Sequence, residues 1–243
     1  MDGNGRWAEG RGLRRTQGHQ EGLKAAKRVV KAAAGLGIRY LTLYVFSTEN
    51  WKRTSEEVGF IMGLVKQYLR GELDFYRENH IRIRHTGDSA GLPPDIHAEL
   101  KAAIEETKDF GGLQVILALN YGGRDEIVRA VNRAIAAKNV TAKDATAKDA
   151  TAKDAEVSFA PAFFAEITAE DITGFLDNPD VPDPDLIIRS AGELRTSNFL
   201  LWEGAYAEYY VSPVLWPDWT EDDLGLALAS YQKRERKFGG IKP

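Results

Sequence analysis

The sequence predicts an α/β fold: a single unit with a mainly parallel central sheet flanked by helices. Short apolar runs of strand character alternate with segments long enough for helices, the pattern of repeated strand–helix–strand units. The 243 residues are 43% hydrophobic and 28% charged, a balance that excludes a disordered or fibrous chain. Cysteine is absent, which removes thiol nucleophiles, zinc–thiolate sites and disulfides from consideration and fits a reducing compartment.

The elements follow in order. Gly22 to Leu36 reads as a basic helix closed by Gly37, and Tyr40 to Phe46 as a buried strand. Thr54-Ser-Glu-Glu57 has the spacing of a capping box and opens a helix with Val58, Ile61, Met62, Val65 and Leu69 on one face. That stripe reads as core in preference to the wall of a lipid channel. Ile81 to His85 is a short strand, and Pro94 to Thr107 a helix with proline in its first turn. Leu113 to Leu119 is an apolar strand, Asn120 to Arg124 a turn, and a helix then runs to about Ala137. Leu186 to Ile188 is a strand and Thr220 to Lys237 a closing helix. Residues 141–155 hold three copies of Thr-Ala-Lys-Asp-Ala, a low-complexity insertion expected to be solvated and at best partly helical.

Charge narrows the ligand class. The net charge of −4 conceals +5 over residues 1–31 and +4 over residues 233–243, around an acidic body. That distribution argues against a nucleic-acid partner, which would need a broad basic face, and suits a localised anion. No apolar run approaches the roughly 18 residues of a membrane span, and residues 1–6 lack the apolar core of a signal peptide, so a cytoplasmic protein is expected.

In a parallel sheet, ligands bind beyond the carboxyl ends of the strands, so the loops after Phe46, Asn120 and Ile188 are the first candidates. Asp2-Gly3-Asn4-Gly5-Arg6-Trp7 holds two turn dipeptides. Read alone it is a surface turn. Read as a site, its glycines let backbone N–H groups approach an anion while Arg6 adds donors and Asp2 holds a divalent cation. Arg15 and His19 lie where the chain runs into the basic helix, favourable for an anion but equally readable as a solvated loop. Ser47, Thr48, Glu49, Asn50, Trp51 and Arg53 crowd the end of the most evident strand. Arg189 and Arg195, with Ser197, can clamp a diphosphate or form two surface ion pairs. Glu208, among aromatics, is a solvated acid or a second metal ligand. Motifs for an ATP-type phosphate loop, a serine hydrolase, a zinc protease or a dinucleotide site are all missing.

Together these motifs resemble the cis-prenyltransferase family, closest to its bacterial undecaprenyl diphosphate synthase type. Met-Asp-Gly-Asn-Gly-Arg-Trp, Gly18-His-x-x-Gly22, Phe-Ser-Thr-Glu-Asn-Trp, Asn-Tyr-Gly-Gly-Arg, and Arg189 through Trp202 stand in the family's order, as do Leu215-Trp-Pro and the Arg-Glu-Arg ending. The resemblance implies a homodimer of α/β subunits, each with a hydrophobic tunnel. It also implies Mg2+-dependent condensation of isopentenyl diphosphate onto an allylic diphosphate such as farnesyl diphosphate, giving a long cis-polyprenyl diphosphate for cell-wall synthesis. By position it assigns Asp2 to metal-linked catalysis and Gly3, Asn4, Gly5, Arg6, Trp7, Arg15 and His19 to the allylic diphosphate. Ser47, Thr48, Glu49, Trp51 and Arg53 become substrate contacts around Asn50, a participant in proton removal. Arg189, Arg195, Thr196 and Ser197 take the isopentenyl diphosphate, and Glu208 is the second metal carboxylate. Association with the inner face of the membrane through the lipid product is a further expectation. The alternative, a non-catalytic partner subunit of the same fold, typically lacks the Asp2 loop that this chain keeps.

The chain departs from the family in four places. The family carries an apolar strand ahead of the Asp2 motif, so a chain extended upstream of Met1 is expected to be more stable and more active. Ser190-Ala191 replaces Thr-Gly, Leu194 stands where many bacterial members carry His, and Lys237-Phe-Gly239 replaces Arg-x-Gly.

Overall fold

The computed structural model describes residues 1–149 and 166–235. Among the described residues, five strands, paired only in parallel, fall into two sheets. β1 (Tyr40–Ser47) and β2 (Arg82–Thr86) flank β3 (Gln114–Tyr121), and β4 (Leu186–Arg189) pairs with β5 (Glu208–Val211). Tyr40 and Arg82 both stand opposite Gln114, so β1 and β2 start level beside β3, whose residues are buried from Val115 to Tyr121. The expected single sheet is therefore divided, with β1 and β4 each keeping an open edge towards the cavity described below.

The helices are α1 (Asn4–Glu9), α2 (Arg15–Gly35), α3 (Ser55–Gly71), α4 (Leu73–Glu78), α5 (Pro94–Thr107), α6 (Gly123–Asp149), α7 (Ala169–Gly174) and α8 (Glu221–Gln232). One core lies between the β1–β3–β2 sheet and α2, α3, α5 and α8, through Val30, Leu69, Leu100, Leu119 and Leu224. On the other face Ala118 and Tyr121 pack with Leu200, Tyr44 and Phe199.

The N-terminal helices correct the sequence reading. Asn4 to Glu9 is helical rather than a turn, and α2 begins seven residues before Gly22. Glycine weakens a helix interior by roughly 1 kcal/mol, so Gly18 and Gly22 locally oppose a helix running through them. Here they are contact points: a Cβ on Gly18 would lie 2.0 Å from the Asn4 carbonyl oxygen, and one on Gly22 2.4 Å from Asn4 Oδ1. Tertiary packing overrides propensity.

β5, α4 and α7 fall in stretches assigned to no element. α6 continues past Ala137 to Asp149, because Ala and Lys in the repeats favour helix and nothing breaks it; residues 150–155 of the repeats lie outside the described residues. The Arg236–Gly240 end of the C-terminal motif, with the Lys237-Phe-Gly239 departure, lies outside them too. Among the described residues no helix is long and apolar enough to cross a membrane.

Candidate active site

A cavity of about 1040 Å3 runs between β1, β4, α2 and α3. That matches the upper end of the roughly 300–1,000 Å3 usual for small-ligand sites. Ala26, Val29, Ile61, Leu64, Val65, Leu41, Leu43 and Ile188 make much of its wall apolar. The α3 stripe thus serves as core and as wall together. Polar groups gather where β1 and β4 end, at Ser47 and Arg189, as expected for a parallel sheet.

Asp2 is held from several sides. Its N–H donates to Ser190 Oγ at 2.8 Å, and its carbonyl accepts from the Trp216 N–H at 3.0 Å and from Ser190 Oγ at 3.2 Å. Arg189 Nε donates to Asp2 Oδ2 at 3.1 Å, while Arg189 Nη2 donates to Ser197 Oγ at 3.0 Å. Arg189 Nη1 is buried without a partner, the state of a donor that an anion would satisfy. The loop that follows β4 is unusually strained, with positive φ at Ala191, Ser197, Asn198 and Leu200. Gly3, at φ 100°, initiates α1 without any side-chain cap, leaving first-turn N–H groups free to meet a ligand.

His19 lines the cavity, and its Nε2 lies 3.4 Å from Glu57 Oε1. Burial is the largest influence on His19 and lowers its pKa, so the ring is neutral at pH 7. Burial opposes ionisation of Glu57, but Arg53, Arg15 and His19 outweigh it and hold its carboxyl below the ordinary range. Glu49 accepts from Asn198 Nδ2 at 2.9 Å, which ties the β1 loop to the β4 loop. Asn50 Oδ1 accepts from the Ser47 N–H at 3.1 Å, fixing the carboxamide beside the cavity.

Of the expected site residues, Asp2, Asn4, His19, Ser47, Glu49, Asn50, Arg53, Arg189, Arg195, Thr196 and Ser197 line this cavity. Others support its mouth without lining it. Arg6 donates to Glu193 at 2.7 Å and to the Ala191 carbonyl, Arg15 to Glu9, Thr48 to Asp125, and Trp51 Nε1 to Asn120 Oδ1. Gly5 packs against the Arg15 guanidinium. Trp7 stands outside, its Nε1 on Asp218 and the Arg11 guanidinium over its ring.

Glu208, the expected second metal carboxylate, stands apart from the cavity-lining residues. It opens β5 opposite Leu186, at the far end of β4 from Arg189, and its carboxylate accepts from Arg234 at 2.7 Å. Within one chain it does not join Asp2, and among the described residues no cluster of three or more His, Cys, Asp or Glu side chains could hold a metal. Asp2 alone still fits Mg2+. It is a hard oxygen donor, one third exposed and facing the cavity, and Mg2+ commonly takes one or two carboxylates with substrate phosphates completing its shell.

Sequence reading passed over Glu57, Glu193, Asn120 and Asn198. Glu193 joins Arg6 to Arg195, and Asn120 also reaches the Asp88 carbonyl through Nδ2. Each stood inside or beside a quoted motif, yet only tertiary closure shows what it touches.

A parallel α/β chain with an apolar cavity, mouthed by arginines, a neutral histidine and a cavity-facing carboxylate, defines a binder of an anionic head with an apolar tail. Comparison with known proteins agrees. The undecaprenyl diphosphate synthase family matches residues 1–239. The isoprenyl transferase of Treponema denticola is 46% identical over 98% of this chain and 94% of its own, and that of Thermotoga maritima 45% over 99% and 94%. The crystal structure of lavandulyl diphosphate synthase from Lavandula x intermedia, in complex with dimethylallyl diphosphate, superposes with a TM-score of 0.83 at 33% identity, covering 99% of this chain and 95% of that one. The chain belongs to the undecaprenyl diphosphate synthase family of prenyltransferases, and it is an enzyme.

Proposed function

We propose that this enzyme lengthens an allylic diphosphate, farnesyl diphosphate by preference, with isopentenyl units, and that the product grows into the cavity between α2, α3 and β1. The observation that carries the reading is the junction of that apolar cavity with the Asp2–Arg189–Ser197 cluster. An aqueous groove would not shelter a polyprenyl chain, and an apolar cavity without the arginines would not hold its diphosphate.

Arg189 binds one diphosphate through its unpartnered Nη1, and Arg195, Thr196 and Ser197 close around the same group. The start of α1, Arg15 and neutral His19 receive the allylic diphosphate, whose departure leaves negative charge on oxygen. Preorganised donors lower that barrier because they need no rearrangement as the charge develops. Asp2 would hold Mg2+, which would supply positive charge to stabilise the leaving diphosphate. Asn50, its carboxamide oxygen accepting from the Ser47 N–H, orients isopentenyl diphosphate through its NH2 for loss of a proton, which the released diphosphate takes up. Glu208 remains a candidate metal ligand only towards another chain. A homodimer fits the 85%-exposed Leu194 at the tip of the β4 loop. The lipid product would bring the enzyme to a membrane surface.

The test incubates purified protein with farnesyl diphosphate and labelled isopentenyl diphosphate, with Mg2+ and with a chelator. Label entering a long butanol-extractable chain only with Mg2+ is the expected result. No lengthened product under any metal condition would refute the reading and favour the non-catalytic subunit.

A further inference from the structure

The loops that follow β1 and β2 meet on one side chain of β3. Asn120 stands near the end of that strand and is 6% exposed. Phe46 pairs with Leu119 and Ser47 with Tyr121, so Asn120 is an extra residue that the ladder passes over. Its φ of 52° lies in the left-handed region, which asparagine tolerates better than most side chains. Bulges of this kind re-aim a side chain and recur beside active sites.

The carboxamide turns to two partners. Its Oδ1 accepts from Trp51 Nε1 at 2.7 Å, and its Nδ2 donates to the Asp88 carbonyl at 2.8 Å. An indole nitrogen only donates and a carbonyl only accepts, so both ends of the amide are spoken for. The Asp88 N–H returns to the Asn120 carbonyl at 3.1 Å. The turn Ser89–Gly91 then closes so tightly that a Cβ on Gly91 would lie 2.6 Å from Asn120 Nδ2. Aspartate at position 120 would keep the acceptor for Trp51 but set a second oxygen against the Asp88 carbonyl.

Trp51 carries the effect to the cavity. It belongs to the turn Thr48–Lys52, and its ring meets that of Phe46 edge-on at 4.8 Å. The first half of the turn is tied to α6 and to the β4 loop, through Thr48 to Asp125 and Glu49 to Asn198. Asn120 ties the second half. Asn50 lies between the two ties and Arg53 follows directly, and both line the cavity. We propose that Asn120 is a positioning residue: through the Trp51 indole it fixes the Thr48–Lys52 turn and so sets where Asn50 presents its carboxamide to substrate. The catalytic half of this inference rests on the function proposed above; the tether itself does not.

The experiment compares wild type with Asn120→Gly, Trp51→Phe and the two combined. Glycine adopts the same φ freely, so that variant deletes the amide without adding strain. Phenylalanine keeps a ring against Phe46 and removes the indole donor. Thermal melts set a temperature at which all four proteins are folded. Trypsin then reads the turn itself at the exposed Lys52 and Arg53, where cleavage should quicken severalfold in each single variant. Single-turnover elongation of farnesyl diphosphate should fall about tenfold in each, because small displacements of a reacting group cost at least that much. The double variant should fall no further than the worse single one, since both changes remove the same bond. Losses that multiply to about 100-fold would overturn action through Trp51. Unchanged cleavage would overturn the tether. Lowered melting or quickened cleavage with a normal chemical step would leave Asn120 a structural role only and overturn the positioning. A wild type that elongates nothing refutes the functional reading before any variant is compared, and the positioning falls with it while trypsin still decides the tether.

Discussion

Arg189 holds Asp2 directly, its Nε donating to the carboxylate at 3.1 Å, and the same guanidinium reaches Ser197 at 3.0 Å. One planar fork therefore links the N-terminal motif to the loop after β4. Lysine carries the charge but cannot make both bonds at fixed angles. Arg189→Lys should fold normally by circular dichroism and lose about 100-fold in kcat/KM, comparable to removing one preorganised donor elsewhere. Activity within twofold of wild type would show that the fork is dispensable.

Ser190 stands where the family usually carries Thr, and the hydroxyl is what both side chains share. It accepts from the Asp2 N–H and donates to the Asp2 carbonyl while only 2% exposed. Ser190→Ala should cost about 1–3 kcal/mol in a denaturant melt, the penalty of stranding a buried polar group. Turnover should drop about tenfold as Asp2 loses its place. Ser190→Thr should restore both, and failure to do so would locate the effect in packing.

Gly18 allows α1 to lie against α2. A methyl group there meets backbone, the Asn4 carbonyl at 2.0 Å, and backbone cannot swing away as a side-chain end can. Gly18→Ala should lower stability by about 1–3 kcal/mol and raise the KM for the allylic substrate as Asn4 to Arg6 shift. An unchanged KM would detach α1 from that substrate.

Asp177 is the structural anchor behind the site. Its carboxylate accepts from the Gly87 N–H, Thr86, Arg129 and Arg133. Burial opposes its ionisation, but the arginines prevail and its pKa lies below the usual value. Its contribution is present above the unfolded value near 3.8 and is lost as pH falls through the folded one. Asp177→Ala should cost about 3–5 kcal/mol at pH 7, because two arginines lose their acceptor. The gap to wild type should shrink below pH 4; a constant gap would place the cost in packing alone.

Much of the fold was legible because its signals are local. β1 and β3 are mainly apolar runs, α3 carries a Thr54 cap that accepts the Glu57 N–H, and α5 begins on Pro94 as read. α1 and the first turns of α2 were hidden because Gly18 and Gly22 oppose helix locally and are explained only by Asn4 across the interface. β5 was hidden by its length of four residues and its mixed Glu-Tyr-Tyr-Val face. In the site, the motif residues after β1 and β4 came together as expected. Their partners did not show, because contacts such as Asp2 with Ser190 or Glu49 with Asn198 join residues some 150 or more apart. Glu208 was assigned by likeness to the metal, and no local signal showed that its carboxylate meets Arg234.

The account turns on the Asp2 carboxylate as the acid that ties metal to diphosphate at the mouth of the apolar cavity. The most direct measurement is single-turnover elongation by Asp2→Ala at saturating Mg2+ and substrates, beside a thermal melt of the same protein. Asp2 is one third exposed and its backbone bonds survive the change, so the melt should move by no more than a few degrees. The chemical step should fall by about 1,000-fold or more as metal-assisted charge stabilisation is lost. A variant that melts normally and elongates within tenfold of wild type would contradict the account.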